Sequence, residues 1–426
     1  MEILNKIEIN EKFKEAFDLI EKTQECIFVT GNAGTGKTTF LCYYMMHSRK
    51  RVVVIAPTGV AALNCGGETI HSFFNFKPDV TVYKIKKKKL CDKSIYKKVE
   101  VIIIDEASML RCDLLDCIDK FLRLNRDKHK EPFGGVQMVF IGDLKQLPPV
   151  VKREEKQFFC SVYKSPYFLS ANSLNECMLR TVELTKVYRQ QEVKFVTLLN
   201  AIRNNRVSDE ELDALNKKVS PDIFGKPMSI YLTTTNKKAT YINNKYLSKI
   251  NSEQAIFVAE SENIEEDSPA LPAEYSLTLK RGAQVMMLNN DSKGRWVNGS
   301  IGVVEDIRSS INSDKTMICV KFPNGRLEYV EPFKWELFKY KWNEKEEKIE
   351  TESAGFFKQY PLKLSWAVTI HKSQGKTFDN VVIDMEYGAF APGQLYVALS
   401  RCISFDGISL SRTITRKDII SPKYSY

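Results

Sequence analysis

The chain has 426 residues, 43% of them hydrophobic, values that are ordinary for a globular protein of about two or three domains. No run approaches the ~18 apolar residues of a membrane helix, and residues 1–10 lack the basic and then apolar layout of a secretion signal. Lysine and arginine number 63 against 53 acidic residues, so the net charge is +10. This surplus fits a polyanionic partner and a plain basic surface equally well. We expect an intracellular protein with reduced thiols and no membrane partner, cytoplasmic or nucleoid-associated in a bacterium and nuclear or mitochondrial in a eukaryote.

The first predicted elements are an amphipathic helix over residues 11–22 and a buried strand over residues 26–30. The segment Gly31–Thr38 comes next and fits the pattern G-x-x-x-x-G-K-S/T at every fixed position. Residues 39–46 then predict the opening of a helix. In this context the loop wraps a phosphate group, because glycine permits close approach and the helix N-terminus presents unpaired N–H groups.

The segment therefore predicts a nucleotide site. Lys37 is expected to reach the β- and γ-phosphates, and the hydroxyl of Thr38 to hold Mg²⁺. The residues expected to contact the nucleotide are Gly31, Asn32, Ala33, Gly34, Thr35, Gly36, Lys37, Thr38 and Thr39.

Two further stretches carry candidate catalytic groups. A Val/Ile run ends in Asp105 and Glu106. We expect Asp105 to hold the Mg²⁺ shell and Glu106 to polarise the attacking water. Acidic pairs after a strand are common by chance, but the upstream glycine loop favours the functional interpretation. Gln146, after a strand that ends in Gly-Asp, places an amide beside the γ-phosphate, although a plain tight loop explains this stretch equally well.

The apolar runs predict the sheets. Residues 51–56, 99–105 and 136–142 are near-continuous β-branched runs, typical of a parallel sheet buried on both faces, as in the core of a P-loop ATPase. Residues 77–98 interrupt the pattern as a small polar surface excursion.

A second α/β region is predicted from residue 180 onward. Residues 182–187, 230–235 and 381–384 predict strands of another sheet. From 276 to 340 the texture changes to short β-prone runs separated by turn signals, which predicts a small inserted antiparallel barrel.

The sequence also resembles a known family. Residues 56–64, from Ala-Pro-Thr-Gly onward, and residues 66–74, which contain Thr-Ile-His-Ser-Phe-Phe, are similar to the signature of the petite-integration-frequency (Pif-like) DNA helicases. This family belongs to the 5′-to-3′ branch of helicase superfamily 1, which includes the RecD type. Further matching segments follow in family order at residues 105–108, 133–137, 142–150, 184–190, 366–375 and 394–401.

The resemblance implies an α/β fold with two RecA-like P-loop motor domains, parallel sheets, and ATP and Mg²⁺ bound between the domains. It places a small wedge insert at residues 77–98 of the first domain and a Src-homology-3-like β-barrel insert in the second. The expected boundaries are 1–188 for the first motor domain, 189–275 with 341–426 for the second, and 276–340 for the barrel.

The resemblance also assigns residues. Lys37, Glu106, Gln146, Arg189 and Arg401 match catalytic positions, with the two arginines as fingers on the transferring phosphate, and Gly375 matches a contact near the γ-phosphate. The matched DNA-contacting positions are Pro57, Thr58, His71, Ser72 and Phe73 in the first domain and Thr235, Asn236, His371, Lys372 and Ser373 in the second.

The roles of four phenylalanines remain open. Phe73 and its neighbours Phe74 and Phe76 could stack on bases or form a pin, but for at least two of the three we favour core packing. Phe13 stands where many relatives carry a glutamine that recognises adenine, and Asn10 is only a weak substitute.

The sequence thus predicts an ATP-driven helicase that moves 5′ to 3′ along single-stranded DNA and unwinds duplex or structured DNA. Expected partners are single-stranded DNA and single-strand/duplex junctions, with G-quadruplex DNA as a further candidate, and the expected state is a monomer. Three rival functions remain open: a relative that acts on RNA, a translocase that displaces proteins, and a nucleotide-switched binding protein without turnover.

Overall fold

The computed structural model describes residues 10–77, 79–88, 94–151, 155, 159, 161–188, 192–220, 228–266, 268, 271–309 and 316–421. The chain forms two compact units. The first runs to residue 189 and includes residues 337–354, and the second comprises residues 190–336 and 355–423.

The first unit is built on a six-stranded sheet in which every neighbouring pair is parallel, in the order β3-β2-β4-β5-β1-β6. Its strands are β1 (Cys26–Gly31), β2 (Val52–Ala56), β3 (Glu68–Thr69), β4 (Val101–Ile104), β5 (Gln137–Ile141) and β6 (Leu179–Leu184). Strands β4 and β5 are buried at every position, as expected for β-branched runs covered on both faces. The predicted P-loop sheet is confirmed.

Helices cover this sheet. They are α1 (Glu11–Lys22), α2 (Lys37–His47), α3 (Gly59–Cys65), α4 (Ile70–Phe74), α5 (Ser94–Lys98) and α6 (Cys112–Asn125). The side chain of Asn10 caps α1 by accepting from the N–H of Phe13. None of the helices within the described ranges is long and apolar enough to cross a bilayer.

Strand β6 corrects one prediction. The sequence placed residues 182–187 in the second sheet, but β6 pairs in parallel with β1 along its whole length, from Leu179 opposite Cys26 to Leu184 opposite Gly31. It is an edge strand, and only Val182 and Leu184 are buried in it. This half-exposed pattern carries no information about which sheet the strand joins.

The segment at residues 77–98 is more than a surface excursion. Ile85, Ile95 and Tyr96 are buried in the core of the first unit, and the hydroxyl of Tyr96 donates to the carbonyl of Phe73 at 2.7 Å. Residues 78 and 89–93 of the predicted wedge lie outside the described residues. The wedge itself stays a prediction.

The remaining strands lie mainly in the second unit. They are β7 (Ile230–Thr233), β8 (Gln254–Val258), β9 (Glu260–Glu262), β10 (Ser276–Lys280), β11 (Gln284–Met287), β12 (Ile301–Ser309), β13 (Thr316–Lys321), β14 (Leu327–Val330), β15 (Phe333–Asn343), β16 (Lys348–Gln359), β17 (Leu362–Leu364), β18 (Ala367–Thr369), β19 (Val381–Asp384) and β20 (Ile408–Leu410). The helices are α7 (Val193–Arg203), α8 (Asp209–Asn216), α9 (Asn236–Ser248) and α10 (Gln394–Leu399).

The second unit has its own parallel sheet, in the order β18-β7-β19-β20. An antiparallel sheet in the order β14-β13-β12-β11-β17 forms most of the inserted β region. Strands β10 and β8 pair beside it, so this region begins before residue 276 and continues beyond residue 340. The α/β architecture with two parallel sheets and a β insert agrees with the predicted fold class.

Residues 337–354 depart from the predicted boundaries, because they pack within the first unit and not the second. The N–H of Tyr340 donates to Oε1 of Glu68 at 2.6 Å. Trp342 is buried in the first unit's core, with the cations of Arg51 and Lys98 over its ring at 5.8 and 5.0 Å. The backbone of Tyr340 and the ring of Trp342 hold the segment in place.

Candidate functional site

The candidate residues of the first unit collect at one edge of its sheet. Parallel strands end at the same edge, so the loops that follow them are neighbours. In sheet order, the residues that follow the strands are His71 and Ser72 after β3, Pro57 and Thr58 after β2, Asp105 and Glu106 after β4, Asp143 and Gln146 after β5, and the glycine loop after β1. The predicted phosphate-binding residues and the predicted DNA-contacting residues thus form two adjacent groups along this edge.

The glycine loop has the geometry of an anion site. A Cβ on Gly31 would lie 2.6 Å from the carbonyl oxygen of Leu184, so only glycine fits there. Gly36 is left-handed at φ +83° and forms the N-cap of α2 without a side-chain cap. The hydroxyl of Thr35 donates to the carbonyl of Asn32 at 2.9 Å. These contacts fix the loop next to the start of α2, and the N–H groups of a helix N-terminus are a favourable site for an anion.

Lys37 is held within this loop. Its Nζ donates to the carbonyl oxygens of Gly31 at 2.8 Å and Asn32 at 2.9 Å. The next two side chains, Thr38 and Thr39, lie in the first turn of α2, and both are exposed. An ammonium and a hydroxyl therefore flank the uncapped helix end, as the motif requires.

The acidic pair sits in a tight turn after β4. The N–H of Glu106 donates to Oδ1 of Asp105 at 2.9 Å, and Glu106 has a left-handed backbone at φ +51°. Burial, with the nearby charge of Glu106, raises the pKa of Asp105 to about 7, against the lowering effect of Lys37. A buried carboxylate with a neighbouring acid favours a bound cation, and the oxygen donors of Asp105 and Thr38 are those that Mg²⁺ prefers.

The turn after β5 lies against the residues that directly follow this acidic pair. A Cβ on Gly142 would come within 3.0 Å of the N of Ala107 and 3.1 Å of the N of Ser108, so glycine permits the contact. Gln146 is buried, and its Nε2 lies 3.5 Å from Oδ2 of Asp143. The structure therefore brings Gln146 to the sheet edge that carries the glycine loop and the acids.

Two predicted DNA-contacting residues of the first unit already use their hydroxyl groups. Oγ1 of Thr58 accepts from the N–H of Ala61 as the cap of α3. Oγ of Ser72 donates to Oε2 of Glu68 at 2.7 Å. Pro57 and His71 are half-buried, and burial lowers the pKa of His71. At neutral pH His71 is a neutral hydrogen-bonding group.

Phe73 is not available for base stacking in this structure. It is 5% exposed, and its ring packs against those of Phe74, Tyr96 and Tyr340 at 4.8, 5.4 and 5.9 Å. The core-packing interpretation is correct for Phe73 and for the fully buried Phe74.

The candidates of the second unit follow neighbouring strands of its sheet. Thr235 and Asn236 come after β7, and His371, Lys372 and Ser373 come after β18. Asn236 and Lys372 are exposed, and burial lowers the pKa of His371. Ser373 is buried, and its hydroxyl donates to the carbonyl of Ile370 at 2.8 Å, so it supports the turn in this conformation.

The candidate arginine and glycine of the second unit lie in contrasting surroundings. Arg401 is 1% exposed, and its guanidinium donates to the carbonyl oxygens of Val397 at 3.0 Å and Lys376 at 3.3 Å. Gly375, predicted near the γ-phosphate, is exposed and left-handed at φ +79°. The second predicted finger, Arg189, lies outside the described residues.

Comparisons with known proteins identify the family. The PIF1-like helicase family matches residues 8–213, and the UvrD-like helicase C-terminal domain matches residues 364–402. The ATP-dependent DNA helicase Pif1 of Bdellovibrio bacteriovorus is 32% identical over 99% of this chain and 91% of its own length. The chain belongs to the PIF1-like helicase family.

Other Pif1 proteins are similar to this chain in sequence and in structure. The human ATP-dependent DNA helicase PIF1 is 33% identical over 90% of this chain, which spans only 58% of the human protein. Bacteroides Pif1 in complex with ADP-AlF4 superposes with a TM-score of 0.88 at 38% identity, covering 98% of this chain and 95% of that one. The same protein bound to single-stranded DNA superposes at 0.70, with the same identity and coverage.

Tyr188 is a candidate contact for the base of a nucleotide at the glycine loop, and sequence reasoning missed it. The N–H of Tyr188 donates to the carbonyl of Gly34 at 2.8 Å, and its half-exposed ring lies beside Gly36. Nδ2 of Asn10 lies 3.3 Å from the hydroxyl of Tyr188. Phe13, in place of the glutamine, is buried against Phe40 with ring centroids 5.6 Å apart. The signal available in the sequence was that an aromatic residue directly precedes Arg189, the predicted arginine finger.

The second unit contains a lysine cluster of Lys363, Lys372 and Lys376. Sequence reasoning predicted only Lys372 as a DNA contact and missed the other two. Burial, and then the charge of Lys372, lower the pKa of Lys363 to about 8, while Glu274 opposes the shift. Burial, and then Lys363, lower the pKa of Lys376 to about 8. Buried like charges favour a bound polyanion, but Lys363 and Lys376 are isolated in sequence and gave no signal.

Proposed function

We propose that this chain is an ATP-dependent DNA helicase that moves 5′ to 3′ along single-stranded DNA and unwinds duplex or structured DNA. One observation carries the proposal: along one edge of the first sheet, the glycine loop and the acidic pair lie beside the residues predicted to touch DNA. A nucleotide and a nucleic-acid strand that bind to neighbouring loops can influence each other through small shifts of those loops.

The nucleotide chemistry follows from the groups at that edge. The N–H groups at the start of α2 and the ammonium of Lys37 bind the phosphates of ATP. Thr38 and Asp105 would hold Mg²⁺, which would neutralise phosphate charge when bound. Glu106 orients the attacking water and accepts its proton, while the amide of Gln146 contacts the water or the γ-phosphate without a change in charge.

Arg189 and Arg401 act as the arginines that stabilise charge on the transferring phosphoryl group, with Gly375 near the γ-phosphate. For Arg401 this requires a conformation in which the guanidinium leaves its buried contacts with Val397 and Lys376. A finger that engages only in one conformation couples hydrolysis to movement of the protein.

The DNA contacts are mostly hydroxyl, amide and imidazole groups, with one exposed ammonium on Lys372. Such groups bind phosphate and sugar without recognising bases, as a protein that moves along any sequence requires. The proposed contacts are Pro57, Thr58, His71 and Ser72 in the first unit and Thr235, Asn236, His371, Lys372 and Ser373 in the second. We propose that single-strand/duplex junctions are among the substrates and that G-quadruplex DNA is a further candidate substrate. We also propose that the active state is a monomer.

The test uses fluorescent duplexes that carry a 5′ or a 3′ tail, each made with a DNA or an RNA tail. We expect ATP-dependent unwinding only with the 5′ DNA tail. Unwinding of the 3′-tailed duplex alone would refute the direction. Equal unwinding from an RNA tail would favour a helicase that acts on RNA. The RNA tail is included because none of the proposed contacts excludes a 2′-hydroxyl.

The same preparation distinguishes a helicase from a translocase and from a switched binding protein. DNA-stimulated hydrolysis without strand separation would favour a protein-displacing translocase. Nucleotide-dependent DNA binding without turnover would favour the switched binding protein. Sedimentation of the chain on a forked DNA substrate tests whether one copy or two copies bind. The comparison is a Bacteroides structure that concerns unwinding at forked DNA by two coordinating Pif1 helicases.

A further inference from the structure

The loop after β19 presents two aromatic side chains to solvent. Tyr387 is completely exposed and Phe390 is 62% exposed. Large exposed aromatic groups close together on a protein surface commonly mark a binding site, because burying their apolar faces is favourable.

This exposure does not come from a loosely held loop. Three hydrogen bonds fix the backbone of residues 386–390: Nε of Arg412 donates to the carbonyl of Glu386 at 2.9 Å, the N–H of Ala389 to Oδ1 of Asp418 at 3.2 Å, and the N–H of Phe390 to Oε1 of Gln394 at 3.1 Å. Glu386 also has a left-handed backbone at φ +46°. A strained, anchored loop presents its side chains in a defined position.

The sheet places this loop beside the proposed DNA contacts of the second unit. Strand β19 is the neighbour of β7, with Asp384 opposite Thr233, so the loops that follow the two strands are adjacent. Oε1 of Glu386 accepts from the N–H of Thr235 at 3.1 Å and from its hydroxyl at 2.9 Å. The aromatic pair therefore continues the row formed by His371–Ser373 after β18 and Thr235–Asn236 after β7.

We propose that Tyr387 and Phe390 form a base-stacking platform for single-stranded nucleic acid, with Glu386 as a positioning residue for Thr235. Every base has a π face, so stacking holds a strand without selecting its sequence. The exposed cations of Lys237 and Lys372, which follow β7 and β18, supply the matching charge for the phosphates. This inference rests on the proposed function and adds a base contact to a set of residues that touch only the backbone.

The test measures binding of the full-length chain to two fluorescent oligonucleotides of equal length, oligothymidine and an abasic strand with the same phosphates. We expect Tyr387→Ala and Phe390→Ala each to weaken binding to oligothymidine on the order of tenfold and to leave abasic binding unchanged. Tyr387→Trp keeps a ring and retains the wild-type affinity. The matched control is Tyr241→Ala, an exposed aromatic in the middle of α9, which changes neither affinity.

The outcomes separate this inference from the proposed function. Unchanged oligothymidine binding in both alanine variants overturns the platform, and so does an equal loss on the abasic strand, which would show a structural or backbone effect. Failure of the wild-type chain to bind either strand overturns the proposed function as well. Thermal unfolding midpoints equal to that of the wild type confirm that the variants are folded.

Discussion

The backbone N–H of Glu106 donates to Oδ1 of Asp105 at 2.9 Å, a hydrogen bond that fixes the turn in which the two acidic residues follow β4. The left-handed backbone of Glu106 costs about 1 kcal/mol or more, and such strain persists where the surrounding structure requires it. Two acids in one turn suit two tasks. We propose that Asp105 binds the metal ion and Glu106 the attacking water.

Glu106→Gln tests that division. The amide keeps the size of the side chain but cannot accept a proton, so ATP and DNA binding should persist while turnover falls about a hundredfold or more. Steady-state hydrolysis with saturating single-stranded DNA measures the loss. The exposed Glu253→Gln is the control and should hydrolyse ATP at the wild-type rate. Retained hydrolysis in Glu106→Gln would remove Glu106 from this assignment.

Lys37→Ala should act earlier, on nucleotide binding itself. The ammonium donates to the carbonyl oxygens of Gly31 and Asn32, and we propose that it is the cation of the loop that contacts the phosphates. Equilibrium titration with a fluorescent ATP analogue should show weaker binding, whereas Glu106→Gln should bind like the wild type. Equal affinity of Lys37→Ala and wild type would contradict the phosphate contact.

Nucleotide selectivity should be weak. Phe13 is buried and has no polar atom for adenine, and Asn10 uses Oδ1 to cap α1 and Nδ2 for the hydroxyl of Tyr188. Stacking on Tyr188 would hold any purine. We expect ATP and GTP to support hydrolysis with KM values within about tenfold of each other, since stacking distinguishes bases poorly. A much larger preference for ATP would show that another group recognises adenine.

The lysine cluster should make DNA binding weaken in alkaline solution. The pKa values of Lys363 and Lys376 are lowered to about 8, and phosphate binding should raise them towards the ordinary value of 10.5. A group whose pKa rises on binding contributes fully below its free pKa and loses its contribution as the pH rises through the bound value. Affinity for single-stranded DNA should therefore be constant below pH 8 and fall above it.

Matched variants identify the groups responsible for this pH dependence. Arginine stays charged throughout this range, so Lys363→Arg with Lys376→Arg should remove the alkaline decline. Lys372 and Glu274, which also act on Lys363, stay unchanged in that variant. A decline that persists in the double variant would assign the effect to other groups.

The sequence predicted the local parts of the nucleotide site well. The glycine loop, the strand before it and the helix after it follow from residues 26–47 alone, because turn, strand and helix signals here agree with each other. The ends of β4 and β5 were predictable for the same reason. The order of the strands, in which β5 lies between β4 and β1, was not predicted from the sequence.

The sequence did not predict contacts between residues that are far apart in the chain. The edge strand β6 alternates between buried and exposed positions, and nothing local says that its partner is β1. Trp342 lies in a run of lysine and glutamate that indicates solvent, yet its ring is buried in the core of the first unit. Tyr387 follows a buried strand, and only the folded loop shows that it is exposed.

Coupling between hydrolysis and a bound strand is tested most directly by the rate of ATP hydrolysis by the purified chain with increasing amounts of a single-stranded DNA oligonucleotide. We expect a slow rate without DNA and a manyfold, saturable increase with it, and Glu106→Gln should abolish both. A rate that does not change when the oligonucleotide is added would contradict the claim that this chain couples ATP hydrolysis to a bound strand.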